Sequence, residues 1–364
     1  MALWLSACNT NVTSPQNRDG QIYFVARTIG PSTQIQIAGE SGETRPYLES
    51  RHWRDLHPDR APDGRVVFMS NRKTETEIDL SRHRERFQVF MADREGENLR
   101  SLTDTEHSAI TPTFSPDGQR IAYLHARPDS AELYWTTPDG DESKRLMTAR
   151  DILDYDWSPD GRQLAVVVFD PGQSRVEFLS VGDADRGAQP EATHAPEGAV
   201  VTAVSWSPDG KQLAYIVNHP EGFRQLFVRN LADGHTRALT DRGQHVQQPV
   251  SWSRDGQALL YASLVDFEFS YDEQAREKVY RGSMQLFRAG LNGETRQLTD
   301  GDGRHGAPVF SPDEQRIAYL YADQLDARRL SLRTMNLEGR EIKTLHDKVA
   351  PESYLQWTLN PNRR

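Results

Sequence analysis

The 364-residue sequence contains a single cysteine, Cys8. One thiol can form neither an intrachain disulfide nor a cysteine-based metal cluster. Long apolar runs are absent too: no stretch approaches the roughly 20 apolar residues that cross a bilayer as a helix. Positive charge is in deficit, with 43 Lys and Arg against 53 Asp and Glu and a formal net charge of -10. That balance argues against nucleic acid and anionic membrane surfaces as principal partners. No sustained 3.6-residue apolar stripe is present, so no appended hydrolase or nucleotide-binding α/β domain is expected. Catalytic signatures are missing as well. There is no Gly-x-Ser-x-Gly elbow, no Gly-x-x-x-x-Gly-Lys phosphate loop and no His-Glu-x-x-His.

What the sequence does have is repetition. Trp206-Ser207-Pro208-Asp209-Gly210 is echoed by Phe114-Ser115-Pro116-Asp117-Gly118, Trp157-Ser158-Pro159-Asp160-Gly161, Trp252-Ser253-Arg254-Asp255-Gly256 and Phe310-Ser311-Pro312-Asp313-Glu314. Ala61-Pro62-Asp63-Gly64 is a weaker copy. In this motif Pro sets φ at the second turn position, Gly takes the left-handed conformation, and Ser and Asp bond the local backbone. It predicts a tight turn joining two antiparallel strands.

A β-rich apolar strand follows each turn, for example Ile121-Ala122-Tyr123-Leu124 and Leu213-Ala214-Tyr215-Ile216-Val217. A third strand, a Gly-containing turn and a fourth strand ending in Leu-Thr or a near relative complete the unit. Four short strands per repeat is one blade of a β-propeller. The turn aspartates at 63, 117, 160, 209, 255 and 313 are 54, 43, 49, 46 and 58 residues apart. These intervals bracket the roughly 40–50 residues of known blade repeats.

The two ends complement each other. Strands near 21–25, 33–37 and 44–48 lack a first strand, and Tyr354-Leu355-Gln356-Trp357 is a first strand with nothing after it. Joined, they make a composite blade that leaves no edge exposed. The expectation is an all-β, seven-bladed propeller of four-stranded antiparallel blades over residues 20–364, with six or eight blades as alternatives.

The motifs resemble those of the TolB-like and prolyl-oligopeptidase-type propellers, over residues from about 20 to 358. The resemblance is specific for fold and implies a TolB-like protein-interaction scaffold. Leu5-Ser6-Ala7-Cys8 resembles the lipobox of bacterial lipoproteins, which implies lipidation of Cys8 and a lipid anchor. Asn9 after it would by the same resemblance favour the outer membrane. Residues 1–19 then read as a truncated signal remnant and flexible tether in a periplasmic protein.

The Ser-Pro-Asp-Gly turns are short and uniform, and the long excursions are expected on the opposite face of the disc. These are 73–86, which carries Arg82 and Arg84; 265–282; and 181–199, taken as the link into the fifth blade. Phe267, Phe269 and Tyr271 alternate, so in an extended segment they share one side. Aromatics of that kind anchor protein interfaces; the plainer reading is a prolonged strand packed on its neighbour.

His107, His245 and His305 stand shortly before first strands and Asp302 is close by, which makes them candidates for a channel-mouth ligand or divalent metal. Seven-bladed oligogalacturonate lyases are similar in fold and bind manganese at their channel. The expected function is therefore a non-catalytic cell-envelope scaffold that binds an envelope protein partner. It needs no cofactor. The alternative is a metal-dependent or carbohydrate-active protein, lyase-like, using the channel mouth.

Overall fold

The computed structural model describes residues 20–49, 52–72, 86–104, 106–171, 173–182, 193–194, 198–274 and 276–359. Cys8, Arg82 and Arg84 lie outside them. The described residues form strands and turns with no α-helix.

Strand pairing sorts these residues into seven antiparallel sets of four. Blade II is β4 (Asp55–Arg60), β5 (Val66–Ser70), β6 (Gln88–Ala92) and β7 (Arg100–Ser101). Blade III is β8 (Ser108–Phe114), β9 (Ile121–Ala126), β10 (Ala131–Thr136) and β11 (Ser143–Ala149). Blade IV is β12 (Asp151–Trp157), β13 (Gln163–Asp170), β14 (Gln173–Ser180) and β15 (Thr193–His194). Blade V is β16 (Val200–Trp206), β17 (Gln212–Asn218), β18 (Arg224–Asn230) and β19 (Thr236–Ala238). Blade VI is β20 (His245–Trp252), β21 (Ala258–Asp272), β22 (Glu277–Gly290) and β23 (Thr295–Gln297). Blade VII is β24 (Gly303–Phe310), β25 (Arg316–Ala322), β26 (Leu330–Asn336) and β27 (Lys343–Val349). Blade I is composite: β28 (Gln356–Leu359) pairs with β1 (Gly20–Arg27), which continues into β2 (Thr33–Gly39) and β3 (Thr44–Pro46).

The repeated turn behaves as its residue types require. Ser158 Oγ donates to Asp160 Oδ1 at 2.6 Å, and Ser158 Oγ accepts the Gln163 amide at 2.9 Å. Ser115, Ser207, Ser253 and Ser311 repeat both bonds. The turn glycines at 118, 161, 210 and 256 have φ between 66° and 72°. Glu314 occupies the same conformation at φ 56°, where a side chain costs about 1 kcal/mol. Its carboxylate accepts the amide of Arg254, the residue that replaces Pro in the preceding blade's turn. The two departures from the motif therefore answer each other: losing Pro exposes an N–H, and losing Gly supplies its acceptor.

The apolar core is divided among the seams between successive blades. Trp157, Leu164 and Val166 pack on Leu133 and Trp135 across the III–IV seam. Trp206 and Tyr215 pack on Val167 and Val176 across IV–V, and Trp252 and Tyr261 on Leu226 across V–VI. Phe310 and Tyr319 pack on Leu260 and Leu286 across VI–VII. The composite blade has two such seams: Trp357, Ile22 and Phe24 meet Leu332 of blade VII, and Tyr23 and Ile35 meet Phe68 and Phe90 of blade II. The aromatic opening each motif thus fills a seam, which explains why the turn and the aromatic travel together.

On the outside a cation of the fourth strand hooks the next blade's turn. Arg100 donates to the Pro138 carbonyl at 2.6 Å, Arg296 to Glu338 at 3.3 Å, Lys343 to Glu40 at 2.8 Å and Arg237 to Leu291. The Lys343 contact joins blade VII to blade I.

One expectation is corrected. Residues 181–199 are not simply the link into blade V, because Thr193–His194 forms β15 and pairs with Val176 and Arg175. Most of that excursion therefore connects a third strand to a fourth. The rest of 183–197, like 73–85, lies outside the described residues.

Candidate functional site

The seven innermost strands surround a channel. A cavity of about 490 Å³ is lined from β4, β8, β12, β16, β20 and β28. An adjoining one of about 140 Å³ adds Arg304, Gly306 and Ala307 of β24. The first strand of each of blades II to VII slips register in its middle, between Leu56 and Asp59, Ile110 and Thr113, Ile152 and Asp154, Val201 and Ala203, Gln247 and Ser251, and Gly306 and Val309. Such bulges turn a strand and re-aim its side chains. His57, Thr111 and Ala307 take φ near 50° within them.

Three residues before each seam aromatic, or its Arg60 equivalent, lies a channel position. Around the ring these positions hold His57, Thr111, Asp154, Ala203, Pro249, Ala307 and Tyr354. The wall is thus lopsided. Blades II to IV and the closing strand present polar or aromatic groups, whereas blades V to VII present small apolar ones.

Asp59, Asp154 and Asp156 give the polar side its chemistry. All three are half-buried. Because neighbouring residues of a strand point to opposite sides, β12 addresses both adjacent blades. Asp154 Oδ2 accepts the Val204 amide at 2.9 Å and Asp156 Oδ2 the Trp206 amide at 2.8 Å, both on β16 of the next blade. On its other side the Tyr155 hydroxyl donates to the Thr111 carbonyl, and Trp157 Nε1 donates to the Thr113 carbonyl at 3.4 Å. Asp59 Oδ2 accepts the Phe114 amide at 2.6 Å, and its Oδ1 accepts Gln356 Nε2 at 2.8 Å.

Removal from water pushes the Asp154 and Asp156 carboxyls up to about 7, and the proximity of Asp154 adds to the shift of Asp156. Asp59 is raised for the same cause, desolvation. Burial drives His57 in the opposite direction, to about 4, and its ring lies 4.8 Å from that of Tyr354. Near neutral pH this side of the channel accordingly holds carboxyl groups that exchange protons beside a neutral imidazole.

The histidines named from sequence do not converge. They stand on blades III, VI and VII, and no group of three or more His, Cys, Asp and Glu able to hold a metal forms among the described residues. His305 Nδ1 lies 3.1 Å from the Met284 carbonyl and its ring 5.0 Å from Tyr321. His245 lies 6.2 Å from Phe267, His107 is half-buried beside β8, and Asp302 is exposed. The channel carboxylates escaped the sequence reading. The signal for them was the Asp154-x-Asp156 alternation immediately before a seam Trp.

The aromatic excursion is a two-stranded ribbon. Strands β21 and β22 run past their blade, with Phe269 opposite Tyr280 and Tyr271 opposite Lys278. Phe269 and Tyr271 share one side and are each 54 % exposed, and Tyr280 is 38 % exposed. Phe267 sits apart from that alternation, in the bulge between Val265 and Glu268, 6.5 Å from Tyr280. The segment is a prolonged strand, yet its aromatics stay in solvent.

Fold and channel together define a closed β-propeller. Residues 77–277, more than half the chain, match the family described as the TolB beta propeller domain, and the chain belongs to that family. It is 24% identical over 246 residues to dipeptidyl-peptidase 5 of Porphyromonas gingivalis, a match covering 64% of this chain and 33% of the relative. The chain thus spans about a third of the curated relative's length. A puromycin-hydrolyzing peptidase of Mycobacterium tuberculosis superposes with a TM-score of 0.65 at 15% identity, covering 92% of this chain and 52% of that one. TolB of Acinetobacter baumannii gives 0.52 at 18% identity, covering 93% and 66%.

Proposed function

We infer that this propeller is a non-catalytic scaffold of the bacterial cell envelope that binds a protein partner through the face bearing the β21–β22 ribbon. The observation that carries this is the ribbon itself. Solvent-exposed aromatics on a rigid two-stranded support are the side chains from which interface hot spots are built. The TolB-family fold supports the reading, and the lipobox-like Leu5-Ser6-Ala7-Cys8 supports a periplasmic protein anchored to the outer membrane.

The test is affinity capture from envelopes with the full chain and with a Phe269→Ser/Tyr271→Ser variant. A partner captured by the first and lost from the second, with unchanged melting, supports the assignment; an identical set of captured proteins rejects it. Mass spectrometry of the mature N-terminus examines lipidation of Cys8 in the same preparation.

A second reading is favoured by the cavity of about 490 Å³ and its carboxyl wall: ligand binding or catalysis at the channel mouth. It predicts a small molecule that co-purifies with the full chain and is lost when the channel wall is altered, as in Asp154→Ala. The relatives' peptidase names make peptide hydrolysis the first activity to assay.

A further inference from the structure

We propose that Arg304, at the start of β24, anchors a carboxylate-bearing ligand in the channel. The proposal rests on the channel-ligand reading above and gives that reading its ligand class.

Arg304 lines the cavity of about 140 Å³ and is half-buried. Its guanidinium makes no hydrogen bond, ion pair or ring contact with any described residue. Other inward charges of the molecule are paired. Asp55, fully buried, takes two hydrogen bonds of 2.6 Å from Arg72. Glu132 holds Arg127 at 2.8 Å and Arg145 at 2.9 Å, and Arg224 donates to Gln247 at 3.2 Å beside the V–VI seam. An arginine keeps its charge at physiological pH, so drawing it partly out of water without a partner costs free energy that no described neighbour offsets.

The carboxyl groups nearby are occupied elsewhere. Glu352 lines the same cavity but forms no ion pair with Arg304, and its charge acts on His57. Asp154 and Asp156 give their oxygens to amides of β16. Loss of water alone pulls the Arg304 pKa below the ordinary arginine value, with no charged neighbour contributing.

The wall around Arg304 leaves room for a ligand. Arg304 and Gly306, two residues apart, share a side of the strand, while the His305 ring turns to Tyr319 and Tyr321. Gly306, Ala307, Ala262 and Pro249 line the cavity, and none carries a long side chain. Gln248 borders both cavities, and its side-chain amide is also without a partner among the described residues. It offers a second N–H donor beside the guanidinium.

This chemistry selects the ligand. A guanidinium presents a planar fork of donors that matches the two oxygens of a carboxylate. One cation offsets one negative charge. A phosphate dianion would face the carboxyls of Glu352, Asp154 and Asp156 with a single arginine to hold it. The body of the ligand extends past Pro249 and Tyr354, which border both cavities, into the larger one of about 490 Å³. Peptides with a free C-terminus and sugar acids share the required carboxylate.

Ligand-observed NMR titration of the full chain near neutral pH tests this with matched probes: acetate against acetamide, N-acetyl-dialanine against its C-terminal amide, and glucuronate against glucose. At least one acid should bind about tenfold or more tightly than its neutral counterpart. The pair with the largest difference separates a peptide carboxylate from a sugar acid. Arg304→Gln should abolish the preference and melt at or above the temperature of the unmodified chain, because it removes an unpaired charge. A variant that melts several degrees lower would assign the guanidinium to the fold and overturn the anchor. So would a preference that survives in Arg304→Gln, or acids that bind the unmodified chain no better than their neutral counterparts. Neutral probes that bind as well as the acids overturn the anchor alone. No binding by any probe, together with no co-purifying molecule, overturns the channel-ligand reading as well.

Discussion

Two sets of aspartates separated by a few residues of chain are driven in opposite directions. Asp160, in its turn, takes hydrogen bonds from Ser158 and the Arg162 amide and is held below the ordinary carboxylate range. Asp156, four residues earlier on the same strand-turn unit, is driven up to about 7 by loss of water. Both accept hydrogen bonds, so bonding alone does not set the direction. The difference is what remains around the carboxylate: solvent and two local donors in the turn, a neighbouring carboxyl and an apolar seam in the channel. The turn aspartates at 63, 117, 160, 209 and 255 therefore add stability above the aspartate range and lose it as pH falls. Channel aspartates add it at low pH and lose it as pH rises.

The comparison is broken most forcefully at Asp156. Asp156→Ala leaves the buried Trp206 amide without an acceptor, and chemical denaturation at about pH 5 should show a loss of roughly 1–3 kcal/mol. At about pH 8 the loss should be smaller, because the substitution also removes an unfavourable charge. Asp160→Ala should cost less, on the order of 0.5–1.5 kcal/mol at neutral pH. That cost should shrink as pH falls below the ordinary aspartate range through the depressed pKa of Asp160, since the protonated carboxyl is a weaker acceptor than the carboxylate.

Arg254 and Glu314 sharpen the point by giving a turn an acceptor from outside it. Glu314→Gly relieves a left-handed side chain worth about 1 kcal/mol but removes the acceptor of the Arg254 amide. A double-mutant cycle with Arg254→Pro should show coupling of roughly 0.5 kcal/mol or more. The smallest effect belongs to the ribbon. Phe269→Ser/Tyr271→Ser should leave stability within about 0.5 kcal/mol, measured by denaturation midpoint, because both rings are in solvent.

The parts of this molecule legible in the sequence are those that repeat. Pro and Gly in Ser-Pro-Asp-Gly report backbone conformation directly, and a strand at Tyr354-Leu355-Gln356-Trp357 without a blade pointed to its pairing with β1. The channel was illegible because it is built from residues distant in sequence. Asp154 and Asp156 read as ordinary polar alternation until β16 is placed beside them and gives them its amides. The histidines expected near the channel mouth form no metal-holding group among the described residues, because similar repeat positions do not fix how near side chains of different blades come to one another. The fourth strand of blade IV within 181–199 was missed because a two-residue strand, Thr193–His194, is too short to carry a periodic signal.

The pairing of β28 with β1 also sets an order of events on the ribosome. Gly20 lies opposite Leu359, so the strand that completes the first blade is made only after the strands of all six other blades. Until it emerges, β1 offers a bare edge, and the slot that Trp357 will fill between Ile22, Phe24 and Leu332 stands open. A growing chain with every other blade folded still carries an adhesive edge. Premature termination just before Gln356 would therefore produce a protein damaged less in its folded content than in its tendency to stick to its neighbours.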